Sequence, residues 1–147
     1  MVRLSLEELY KEVILDHYRS PRNKGPLDPH DVSLERNNPL CGDEIELFVK
    51  FDGDTVSGIS FEGKGCSISQ ASASMMTEKV AGLDVKVVTE LGETIKRMMA
   101  GEEEGDPDKL GDLVSLQGVV KYPVRIKCAL LGWNTLLEAI EEGKKEG

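Results

Sequence analysis

The chain opens on a helical rhythm and then changes to a strand rhythm. Leu6, Leu9, Tyr10, Val13, Ile14 and Tyr18 recur at helical spacing, which predicts a helix over 5–19. Ser5 and Glu8 form an S-x-x-E capping box at its start, with Leu4 and Leu9 at the hydrophobic-staple positions. Pro21 and the pair Gly25-Pro26 in "SPRNKGP" stop the helix. Three extended segments follow. In "DVSLER" (31–36) Val32 and Leu34 alternate with polar residues, and in "EIELFVKF" (44–51) Ile45, Leu47, Val49 and Phe51 do the same. "TVSGISF" (55–61) is a weaker strand, joined to the second by the hairpin loop "DGD" (52–54). The connections are too short for crossover helices, so the strands form a small antiparallel sheet.

The remainder reads as helical. "SISQASASMMTEKVAG" (67–82) is rich in small residues and ends at Gly82, and Val88, Leu91, Ile95, Met98 and Met99 mark another helix. The acidic stretch "GEEEGDPDKLGD" (101–112) reads as an exposed loop, and "LVSLQGVV" (113–120) as a short helix. Pro123 opens the last helix and Gly143 closes it, leaving "KKEG" as a tail. Strands first and helices later predict an α+β fold, with helices packed on one face of a three-stranded antiparallel sheet. No repeat and no long linker divides residues 1–147, so a single domain is expected.

Composition narrows the function. Charged residues make up 31% and hydrophobic ones 39% of 147 residues, as in a soluble globular protein. A net charge of −9 argues against nucleic acid as the main partner, since phosphate binding needs a basic face. The first eighteen residues contain no long apolar run, so neither a signal peptide nor a membrane span is expected, and the cytoplasm is the default compartment. Three cysteines in such a chain predict reduced thiols rather than a disulfide framework.

Each cysteine has a plain alternative as a small buried hydrophobe, and context weighs against it. Cys41 follows "NNP" and precedes Gly42, in a turn. With extended backbone from 41 to 43, Cys41 and Asp43 would share a face, where thiolate and carboxylate repel unless a cation lies between them. The plain alternative for Asp43 is a turn-capping carboxylate. Cys66, in "EGKGCSIS", falls just before a helix, where free N–H groups and the dipole favour a thiolate. Gly63 and Gly65 permit backbone conformations there that other residues resist. Cys128, on the last helix, points roughly 160° away from the stripe of Ile126, Leu130, Trp133, Leu137 and Ile140 at about 100° per residue. Arg125 and Lys127 lie close by. Three thiolates and Asp43 make four ligands, the number a closed zinc site takes, and the soft sulfurs favour zinc or iron–sulfur chemistry. Scattered from position 41 to 128, these four residues do not by their spacing establish a shared site.

Three blocks supply more. "CGDEIEL", "GKGCSISQASASMMTE" and "PVRIKCALLGW" resemble, in order and context, the three cysteine blocks of the IscU/SufU iron–sulfur assembly family, over essentially the whole chain. The resemblance implies an α+β sandwich with a three-stranded antiparallel sheet. It assigns ligand roles to Cys41, Asp43, Cys66 and Cys128, with zinc in the SufU branch, and makes Cys41 the acceptor of sulfur from a cysteine desulfurase. Lys127 stands where the IscU branch has a histidine, "KYPVR" (121–125) replaces its Leu-Pro-Pro-Val-Lys motif, and extra length precedes the last helix. These departures favour the SufU branch.

The implied protein is a stoichiometric sulfur carrier rather than an enzyme. Its partners would be a pyridoxal-phosphate desulfurase and a downstream scaffold or apo-protein. In the family a partner histidine can take the position on zinc that the cysteine leaves, and Asp43 would keep the site exchangeable. Arg125 is a candidate for docking a partner carboxylate, or else a solvated helix charge. One rival is a scaffold carrying a transient [2Fe–2S] cluster; another is a binding module with purely structural zinc. A thiol hydrolase would need a base near the nucleophile. His17 lies among buried-looking helix neighbours and His30 in a proline-flanked loop, so neither is an evident base.

Overall fold

The computed structural model describes residues 5–146, with side chains described through residue 143. The order of elements is α1 (Leu6–Arg19), β1 (Val32–Asn38), β2 (Asp43–Asp52), β3 (Thr55–Lys64), α2 (Ser67–Val80) and α3 (Val85–Met99). A single turn, α4 (Pro107–Leu110), a 3-10 segment (Gly111–Val119) and the long α5 (Pro123–Glu146) complete it. The strands form one antiparallel sheet in the order β1-β2-β3. Its inner face carries Ile45, Leu47, Val49, Ile59 and Phe61 into the core. Helix α5 lies across β1 and β2 and packs on α2 and α3, while α1 packs on α2 and the 3-10 segment. The expected α+β architecture, with helices on one sheet face, is the one observed.

Local chemistry accounts for most boundaries. The Ser5 hydroxyl accepts the Glu8 N–H at 3.1 Å, as the capping box requires. The staple involves Leu4, which lies outside the described residues; Leu9 itself is exposed.

Three boundaries differ from the sequence pattern. Strand β3 runs on to Lys64, because Gly63, at φ +130°, keeps pairing with β2 where a side chain would be impossible. A Cβ there would sit 2.1 Å from the Glu44 carbonyl oxygen. The acidic loop is irregular only in its first half: Asp106 caps α4, and Leu110 is fully buried. Gly143 does not end the last helix, which continues to Glu146. Its missing side chain instead makes room for Phe51, whose ring would lie 2.7 Å from a Cβ.

Candidate metal centre

The four predicted ligand positions come from four pieces of backbone that meet at one end of the sheet. β1 ends at Asn38, which pairs with Asp43 at the start of β2. The turn between them, residues 39–42, carries Cys41 and closes with Cys41 N–H donating to the Asn38 carbonyl at 3.2 Å. Gly42 is at φ +68°, a left-handed conformation that glycine adopts without strain. Cys41 is therefore in the turn rather than extended, and it nears Asp43 through the turn's curl rather than through strand alternation.

Asp43 is the first inward-facing residue of β2 and is 0% exposed. Its Oδ1 accepts the Cys66 backbone N–H at 2.8 Å, and its Oδ2 lies 3.9 Å from the Cys66 sulfur. Cys66 is the N-cap residue of α2, with extended backbone and a sulfur that accepts the Ser69 N–H at 3.5 Å. Gly65 precedes it with no special φ. It must be glycine because a Cβ would lie 2.5 Å from Asp43 Oδ1 and 2.6 Å from Ser69 Oγ. The need is close approach, not the unusual conformation that the sequence suggested.

Cys128 closes the cluster from the second turn of α5. It points away from the main apolar stripe, as expected, yet it is 0% exposed because that face of α5 covers the end of the sheet. Its sulfur lies 3.0 Å from that of Cys41 and accepts the Asn38 side-chain N–H at 3.9 Å. One ligand atom each from Cys41, Asp43 and Cys128 fall within 4.8 Å of one another, and Cys66 adjoins them across the Asp43 carboxylate. Burial above all, then hydrogen bonds with Cys41, Asp43 and Cys66, pushes the Cys128 thiol far above the ordinary thiol range. Arg125, exposed one turn earlier, has its guanidinium held above its usual range chiefly by the charge of Cys66, and by a hydrogen bond with Cys128. Lys127 is exposed and outside the cluster's hydrogen bonds.

This donor set fits a zinc ion. A buried carboxylate is costly unless paired with a cation or bound to a metal. Among the described residues no lysine, arginine or histidine lies within ion-pair distance of Asp43. Three thiols and one carboxylate would give the four-coordinate, sulfur-rich shell that zinc takes.

The histidines lie elsewhere. His17 is 0% exposed, with Nδ1 2.8 Å from the Ser74 hydroxyl and Nε2 2.9 Å from Asp112. Glu78 completes a potential metal-binding group with them. Arg22, 2.8 Å from Asp16 and 3.6 Å from Glu78, already supplies positive charge there. His30 is exposed, its Nδ1 against the Leu27 carbonyl. Neither histidine is hydrogen-bonded to a cysteine, so the hydrolase geometry is absent among the described residues. Sequence reasoning missed Asn38. Its one signal is "NNP", read only as a turn, where an asparagine side chain commonly bonds the backbone two residues on.

Comparison with known proteins identifies relatives over nearly the whole chain. The NifU-like N terminal domain family matches residues 9–142. The chain is 48% identical over 143 residues to the zinc-dependent sulfurtransferase SufU of Bacillus subtilis (strain 168), covering 97% of this chain and 95% of that protein. It is 43% identical over 141 residues to the iron–sulfur cluster assembly scaffold protein IscU of Streptococcus pyogenes serotype M1, covering 96% and 88%. The fold superposes on the N-terminal part of a nitrogen-fixing NifU-like protein from Brucella abortus with a TM-score of 0.88 at 22% identity, covering 97% and 100%.

Proposed function

The chain belongs to the NifU-like N-terminal domain family, which includes the SufU and IscU proteins, and from that premise we propose that it is a zinc-dependent sulfur acceptor in iron–sulfur cluster assembly. It takes sulfur from a cysteine desulfurase onto Cys41 and acts as a stoichiometric carrier. The observation that carries this reading is the buried, cation-free Asp43 carboxylate ringed by three cysteines from three separate elements. Cys41, Asp43, Cys66 and Cys128 would hold the ion. When bound, zinc keeps sulfur ligands ionised at neutral pH.

The residues divide the work. Cys128 is fully enclosed; Cys41 and Cys66 are both partly exposed, but Cys66 caps a helix with its sulfur accepting the Ser69 N–H, whereas Cys41 sits in a surface turn beside the 68%-exposed Leu40. Cys41 is thus the sulfur an incoming persulfide reaches. Its thiolate attacks the outer sulfur of the desulfurase persulfide, forming a new S–S bond at Cys41. The donor's S–S bond breaks, and its electron pair leaves on the desulfurase cysteine. Nothing is oxidised or reduced overall. Beside the cluster, Ile68, Val119, Tyr122, Pro123 and Val124 line an apolar groove with Arg125 at its rim. That groove suits a protein partner bringing an acidic group to the guanidinium.

The test is paired. Cys41→Ala should abolish stimulation of a matching desulfurase, while Asp43→Ala, with three thiolates left, should keep most of its zinc. A preparation that transfers an intact [2Fe–2S] cluster to an apo-ferredoxin and gives no desulfurase stimulation would establish a scaffold instead.

A further inference from the structure

The three cysteine sulfurs are not equivalent in their surroundings. The Cys66 sulfur accepts the Ser69 backbone N–H at 3.5 Å. The Cys128 sulfur accepts the Asn38 side-chain N–H at 3.9 Å. Among the described residues, the Cys41 sulfur accepts from no N–H group; its one hydrogen-bond partner is the Cys128 thiol at 3.0 Å. That contact disappears once the sulfurs are ionised.

Asn38 is well placed for this role. It is 7% exposed and fixed by its pairing with Asp43 in the β1–β2 ladder. Its Oδ1 accepts the Leu40 N–H at 3.3 Å, which settles the amide orientation and turns Nδ2 toward Cys128. A donor buried there would otherwise lack a partner. An N–H donated to a thiolate withdraws electron density from it, weakening it as a nucleophile, and groups around a metal's ligands tune them in this way.

We propose that Asn38 is a positioning residue: with the Ser69 N–H it mutes Cys128 and Cys66 and leaves Cys41 as the one undamped sulfur, which together with its place in the open turn makes Cys41 the acceptor. The inference rests on the sulfur-acceptor reading above.

The experiment uses the full chain, Asn38→Ala and Asn38→Ser, each loaded with cobalt(II) in place of zinc. The serine hydroxyl can still accept the Leu40 N–H, as Ser commonly does in such turns, but it stops short of Cys128. Both variants should shift the sulfur-to-cobalt charge-transfer band to lower energy with the metal retained. After brief exposure to limiting glutathione persulfide, alkylation and peptide mass spectrometry locate the transferred sulfur. Wild type should carry it on Cys41. Both variants also shorten the side chain that lies against the Cys128 sulfur, and should raise the Cys128 share about 10-fold or more, the lower end of the effect usual for groups behind metal ligands. An unchanged band and an unchanged sulfur position in both variants would overturn the proposal. So would a change in Asn38→Ala alone, which would mean that Asn38 acts only by holding the turn. If Asn38→Ala fails to fold, Asn38→Ser alone decides. Failure of the wild type to take up cobalt or zinc would count against the metal reading, and sulfur mapping on the metal-free proteins would then decide the role of Asn38.

Discussion

Replacing Gly65 by alanine probes how tightly the centre is built. The added Cβ would stand 2.5 Å from Asp43 Oδ1, 2.6 Å from Ser69 Oγ and 3.1 Å from Asp43 Cα. The Ser69 hydroxyl can rotate away, losing its 3.1 Å bond to the Cys66 carbonyl. Asp43 has less freedom. Its Cα is held by the β1–β2 pairing, and moving Oδ1 breaks the 2.8 Å bond from the Cys66 N–H. Losing a hydrogen bond to a charged group costs about 1.5–3 kcal/mol, and overpacking costs about 1–3 kcal/mol. Restricting the unfolded chain returns about 0.4–1 kcal/mol. The net loss is roughly 3 kcal/mol, or about 6–12 °C in melting temperature for a chain of this size. Thermal unfolding followed by circular dichroism, with zinc content measured on the same sample, is the assay. Gly132→Ala is the contrast: its Cβ would meet Met76 at 3.5 Å and Ala73 and Ile45 at 3.6 Å, all ordinary contacts. In mid-helix it should stabilise by about 0.5–1 kcal/mol. A Gly65→Ala protein that melts at the wild-type temperature with one zinc per chain would refute the close-approach argument.

The remaining predictions concern stability and metal uptake. His17→Ala removes a fully buried ring bonded to Ser74 and Asp112, and should cost about 3 kcal/mol. Denaturant unfolding should show that loss with zinc content unchanged; loss of zinc at native temperature would link His17 to the centre. Because the proposed ligands join a turn, a strand, a helix start and the last helix, proven removal of zinc by a chelator should lower the melting temperature clearly, and an unchanged curve would count against coupling. Burial holds Cys128 as a thiol without metal, so its proton must leave on zinc uptake. Affinity should therefore fall as pH falls, and calorimetry in buffers of different ionisation enthalpy should report proton release; buffer-independent heats would contradict this.

The sequence determined what short-range chemistry can decide. The Ser5 cap, the alternation in β1 and β2, and the stops at Pro21 and Gly82 depend on residues a few positions apart, so their patterns are local. The types of the four proposed ligand residues were legible as well, because thiols and a carboxylate at turn and helix-start positions announce their chemistry. The family resemblance gathered them into one site before any geometry was known. Tertiary structure decided the rest, where the cause lies in residues far along the chain. Gly65 is small because Asp43, 22 positions earlier, must pass it, and Gly143 is small because of Phe51. Cys128 lies off the helix's apolar stripe yet is fully enclosed, since what α5 covers depends on where the sheet ends. Asn38 reads as an ordinary turn residue until folding brings a sulfur 90 positions away to its amide. Hydrophobic rhythm records which side of each element faces inward; it carries no information about which two inward faces will touch.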